Sequence, residues 1–135
     1  LDINLAGLKL ESMDANLGSG ASTITLPVSA AAYTVDIDSG SGAVNVKMPD
    51  STPLTLTLSS GSGAVTMRVP AGTALKVEVM DDGSGAVRLP GSLELMDGDG
   101  SFENDTWQSA GFDTAANQIT ILIEDRGSGS ITITN

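Results

Sequence analysis

The tripeptide Gly-Ser-Gly recurs at Gly18, Gly40, Gly61, Gly83 and Gly127 of this 135-residue chain, at spacings of 22, 21, 22 and 44 residues. A repeat that keeps such phase signals stacked units rather than a single irregular core, because each unit buries its apolar face only against its neighbours. Taking 44 as two periods predicts a silent copy near Asp105 and six units of about 22 residues in all.

Each unit reads as two strands flanking the glycines. The segments before the tripeptide include YTVDIDS, LTLTLSS and LKVEVMD, and those after it include AVNVKMP, AVTMRVP and AVRLP. Apolar and polar residues alternate with period two, the pattern of strands with one buried face. Val35, Ile37, Leu54, Leu56, Leu58, Leu75, Val77 and Val79 are predicted to face inward. Val44, Val46, Met48, Val65, Met67, Val69, Val87 and Leu89 are predicted to join them from the second strands. Glycine suits the corners, both for its access to positive φ and because a side chain would collide with the adjoining coil. Pro27, Pro49, Pro70 and Pro90 close the second strands, where a missing N–H costs least. The stretch from Gly85 to Pro90 is two residues shorter than that from Gly63 to Pro70. A deletion of two keeps every side chain on its face, as a stack requires.

Two architectures accommodate such strands. Antiparallel hairpins could form a sandwich with each Gly-Ser-Gly as a loop. A single-stranded β-solenoid would instead lay like strand on like strand in two parallel sheets, and the strict phase favours it. The expectation is one all-β domain over residues 1–135, right-handed by the general preference of parallel crossovers. Six coils at about 4.8 Å would stand roughly 29 Å tall. Residues 102–116 depart from the repeat and hold Phe102, Trp107 and Phe112. They read as an irregular aromatic coil covering the C-terminal end, with an aromatic ligand platform as the alternative.

Composition narrows the chemistry. The chain has no Cys and no His, which removes disulfides, thiol nucleophiles and histidine-based acid–base catalysis. Its 17 acidic and 6 basic residues give a formal charge of −11, which argues against nucleic acid as a partner. No apolar run reaches the length of a membrane span, and no charged-then-apolar leader opens the sequence. Leu1 rather than Met stands first, the expectation for an excised or processed piece.

The repeated GSGAV units and the ending NDTWQSAGFDTAANQITILIEDRGSGSITI resemble bacterial envelope domains of the adhesin or toast-rack type. The ending is also similar to the C-terminal domain of LiaF-type cell-wall-active-antibiotic-response proteins. The resemblance implies a β-solenoid, an extracytoplasmic or membrane-tethered location in a bacterium, and no catalytic residues. For the LiaF type it implies a regulatory role in envelope stress exerted through partner proteins.

Two surface features are candidate sites. In DGDGSFEND, the residues Asp97, Asp99, Glu103 and Asp105, with Ser101, place oxygen donors at alternate positions, like the opening of a calcium loop. Phe102 stands where such a loop wants glycine and Gln108 where it wants a bidentate Glu, so a solvated turn is the competing reading. Counting back two residues from each proline aligns Thr25, Lys47, Arg68 and Arg88. A stack would make the last three a basic column, relieved by neighbouring acids or serving as a groove for an anionic polymer or membrane surface. The serines lack a basic partner at any recognisable spacing, and no paired-carboxylate arrangement stands out. The chain therefore reads as a non-enzymatic interaction or scaffold domain without an obligatory cofactor, adhesin-like or regulatory. A calcium- or anion-binding surface module and, more remotely, a polysaccharide-active β-helix enzyme are the alternatives. The partners expected are a protein or a cell-surface polymer, with homodimers through exposed coil edges a further option.

Overall fold

A computed structural model describes residues 2–29, 31–50, 52–70, 72–80, 84–98, 104–125 and 127–134. It contains thirteen strands: β1 Asp2–Asn4, β2 Ser12–Leu17, β3 Ser22–Thr25, β4 Tyr33–Ser39, β5 Val44–Lys47, β6 Leu54–Ser60, β7 Val65–Arg68, β8 Ala74–Val79, β9 Ala86–Arg88, β10 Leu93–Asp97, β11 Asp105–Ser109, β12 Gln118–Asp125 and β13 Ser130–Thr134. Among the described residues the helical content is one 3-10 turn, Phe112–Thr114.

The strands form two sheets, β1-β3-β5-β7-β13-β9 (sheet A) and β10-β11-β8-β12-β6-β4-β2 (sheet B). Every pairing in sheet A is parallel, as are those of sheet B from β8 through β2. A sheet-B strand, a Gly-Ser-Gly turn and a sheet-A strand make one coil, and coils stack strand on strand. This is the solenoid; the sandwich of hairpins is not formed.

The core lies between the sheets as aligned columns. Ile3, Ile24, Val46, Met67 and Ile133 follow one another across sheet A. Met13, Val35, Leu56, Ile121 and Val77 do so across sheet B. The residues predicted to face inward are buried, with Leu89 partly so. Period-two alternation suffices for this because every parallel neighbour repeats the same phase.

Three features depart from the sequence expectations. First, the coils do not stack in chain order. The last coil, β12–β13, lies between β6–β7 and β8–β9 in both sheets, so the turn at Gly127 rests on Gly61. Second, the expected silent coil near Asp105 is an antiparallel hairpin arm. Strand β11 pairs with β10 on one side and β8 on the other, and the 3-10 turn then reverses the chain into β12. Five complete coils and the half-coil β1 are therefore present among the described residues, with residues 105–109 a regular strand rather than irregular. Third, most turn glycines are needed for close approach rather than for positive φ. A methyl at Gly40 would lie 2.8 Å from the Gly18 carbonyl oxygen, and at Gly42, Gly63 and Gly129 it would overlap the carbonyls of Gly20, Gly42 and Gly63. Of these stacked turn residues, only Gly127 has positive φ, 56°.

Candidate exterior site on sheet A

Because inward positions are filled by aliphatic side chains, any recognition must use the outward phase of the strands, the ends of the stack or its turns. The outward residues of sheet A form two rows. One runs Asp2, Thr23, Asn45, Thr66, Thr132, Arg88, and the other Asn4, Thr25, Lys47, Arg68, Thr134. Hydroxyls and amides thus flank Lys47 and Arg68, which sit on adjacent strands about 4.8 Å apart. Thr23, Asn45, Val46, Lys47, Thr66 and Arg68 line a shallow depression of about 280 Å³.

The predicted basic column is therefore only partly formed. Thr25, Lys47 and Arg68 are in register, but Arg88 is not. Strand β13 separates β7 from β9, and Arg88 aligns with Thr132 and Thr66 rather than with Arg68. Register is set at the turn, where the Gly85 N–H donates to the Gly127 carbonyl at 3.0 Å. The two-residue shortening consequently moves the proline end, and counting back from Pro90 misplaces the arginine. Arg88 still faces outward, roughly 12 Å from Arg68 by strand and residue spacing. None of Lys47, Arg68 and Arg88 is ion-paired with a described acid; the ion pair seen is Lys76–Glu78, 3.2 Å, on sheet B.

Charge divides between the two exteriors, a feature that reading along single strands misses. Sheet A carries those three cations against Asp2. The outward rows of sheet B include Asp14 directly beside Asp36, then Asp38, Glu78, Glu94, Asp97 and Asp125, against Lys76. The signal was available in the paired segments VDID and VNVK, whose polar positions differ in sign once each is assigned to its own sheet.

The acidic candidate has a different outcome. Asp99 and Glu103, with Ser101 and Phe102, lie outside the described residues. Asp97 is exposed at the end of β10, whereas Asp105 is 1% exposed. Gly98, at φ 107°, lies so close to the Asp105 carboxyl that a methyl there would overlap it. No group of three or more acidic side chains gathers among the described residues. Of the aromatics, Trp107 packs partly buried against the core from β11 and Phe112 is buried in the 3-10 turn. A hollow of about 470 Å³ is lined by Gly72, Thr73, Ala74, Ser92, Ser109, Ala110, Gly111 and Ala115, with no titratable side chain among them.

The fold and exterior define an all-β solenoid module with one cationic and one acidic face. No protein-family profile matches the chain, and no curated protein sequence does. Among solved structures it is similar to a candidate cell adhesion protein from Clostridium sporogenes, at 21% identity and a TM-score of 0.68. The match covers 91% of this chain and 54% of that one, so the chain spans about half of its neighbour's length. At this identity the likeness is one of fold. No described helix is long and apolar enough to cross a membrane.

Proposed function

We propose that this chain is a non-enzymatic, adhesin-like interaction module of the bacterial envelope, and that it contacts anionic cell-surface polymer through the outward face of sheet A. The observation that carries the reading is the pairing of Lys47 and Arg68 in register on a chain of net charge −11, without ion pairs to described acids and amid Thr and Asn side chains. Two unneutralised cations one strand apart repel, and an anion between them relieves that repulsion while the hydroxyls and amide orient it. The likeness to a candidate cell adhesion protein supports the same reading. A rigid stack suits such work because it presents side chains at fixed strand spacing with little ordering cost on binding.

The test is retention on an immobilised carboxylated or sulfated polysaccharide. Binding is expected at low ionic strength, weakening steeply as salt screens it. Lys47→Ala with Arg68→Ala should abolish retention, while Asp14→Asn with Asp36→Asn on the opposite sheet should leave it intact or strengthen it. Retention indifferent to the sheet-A pair overturns the proposal.

A further inference from the structure

The two ends of the stack are built differently. At one, the β10–β11 hairpin extends sheet B beyond β8. At the other, β1 and β2 are bare edges in otherwise parallel sheets, an arrangement proteins usually cover.

The turn of that first coil carries glycines it does not need. Gly40, Gly42, Gly61, Gly63, Gly127 and Gly129 each lie against the backbone of the turn they rest on, leaving no room for a methyl. Gly18 and Gly20 have nothing within 4 Å of the same position, and neither has positive φ. Close approach is what requires glycine in the inner turns, and here the approaching backbone is missing. The core columns end the same way. Ile24 and Val35 are 0% exposed, whereas their outer neighbours Ile3 and Met13 are only half-buried.

The register states what is missing. Asp2 pairs with Thr23, an offset of 21 residues, and the same offset carried back along the chain leads from β1 to the turn at Gly20. A coil that covers Gly20, Gly18 and β2 therefore needs about one strand and turn of chain feeding into β1. We infer that the β2 edge and the Gly18–Gly20 turn receive a further strand and small-residue turn, running parallel to β2 and continuous with β1. In register this surface is equivalent, position for position, to the edge of β4 and the Gly40–Gly42 turn on which β2 and the Gly18–Gly20 turn are stacked. Its occupant is thus a coil of the same kind, continuous with β1 on the N-terminal side. A second copy approaching two-fold would pair antiparallel with β2 and would not set a turn on Gly18–Gly20.

The chain's own residues provide the probe. Residues 33–43, a strand and turn of the right phase, are copied directly before Leu1. The extended chain is expected to melt about 5 °C or more higher, with slower amide exchange in Met13–Leu17. Gly20→Ala should leave the melting temperature of the present chain unchanged or slightly raised, and should lower that of the extended chain by several degrees. An extension that changes neither melting nor exchange overturns the inference, as does a Gly20→Ala effect equal in both chains. A present chain that sediments as a dimer and becomes monomeric with Gly20→Ala also overturns it, in favour of a second copy.

Discussion

At the scale of the residue, the turns and the buried Tyr33 at the start of β4 show how little room the stack leaves. Gly42→Ala is expected to cost about 2–4 kcal/mol, because its methyl would overlap the Gly20 carbonyl and backbone cannot move aside as a side chain can. Gly91→Ala, in open space, serves as the control, and denaturant unfolding compares the two. Tyr33 is the chain's one tyrosine and is 2% exposed, its hydroxyl donating to the Pro27 carbonyl at 2.6 Å. Burial pushes its pKa up from 10.0 to about 12. The unfolded chain therefore releases this proton first as pH rises. The stabilisation is whole below pH 10, declines from 10 to about 12, and is gone above. Tyr33→Phe should lose about 1 kcal/mol at neutral pH for the missing hydrogen bond and flatten the decline above pH 10. Tyrosinate absorbance during alkaline titration reports the same group directly.

Among the elements, β12 has the most consequential place. Its inward residues Ile119, Ile121 and Ile123 are 0% exposed, and it pairs parallel to β6 on one side and β8 on the other. Ile121→Ala is expected to cost about 3–5 kcal/mol, the upper range for large-to-small core changes, because rigid strands on both sides cannot collapse into the cavity. Leu93→Ala, on the hairpin arm where one side of the strand is open, should cost clearly less by the same unfolding measurement. The start of β12 is tied down by Gln118, whose Nε2 donates to the Phe112 carbonyl at 2.6 Å. The reversal after β11 is thereby linked to the strand that the reversal feeds into the sheet.

For the whole molecule, inserting the last coil between two earlier ones makes the chain's end a central part of both sheets. Without residues 118–134, β8 loses its parallel partner and β9 its partner β13. A chain ending at residue 117 is expected to keep slow amide exchange only in β2–β7, with β8–β11 exchanging as unfolded chain. Full protection of β8 in that truncation would mean that it can dock directly on β6. Folding of the intact chain is expected to be slow for its size, since β8–β9 cannot join the stack until β12–β13 has intercalated over long sequence separations.

Much of this was legible in the residues. Alternation picked out the inward side chains, since a strand side chain has two faces to choose from and its neighbours in sequence settle which. Glycine phase disclosed coils, since close backbone approach recurs once per turn of a stack. Order was not legible. Gly63, Gly85 and Gly129 head equivalent strands, and nothing local tells β12 to lie on β6 rather than beyond β8. The separation of Arg88 from Arg68 by β13 follows from that same placement, whereas its offset along the strand comes from the two-residue shortening after Gly85. Sequence by itself determined the coil, its apolar phase and its turns, because these depend on residues within one period. Only the tertiary structure decided which coil neighbours which, and with it which outward charges stand side by side, because parallel strands of the same phase are nearly interchangeable until long-range pairing selects one arrangement.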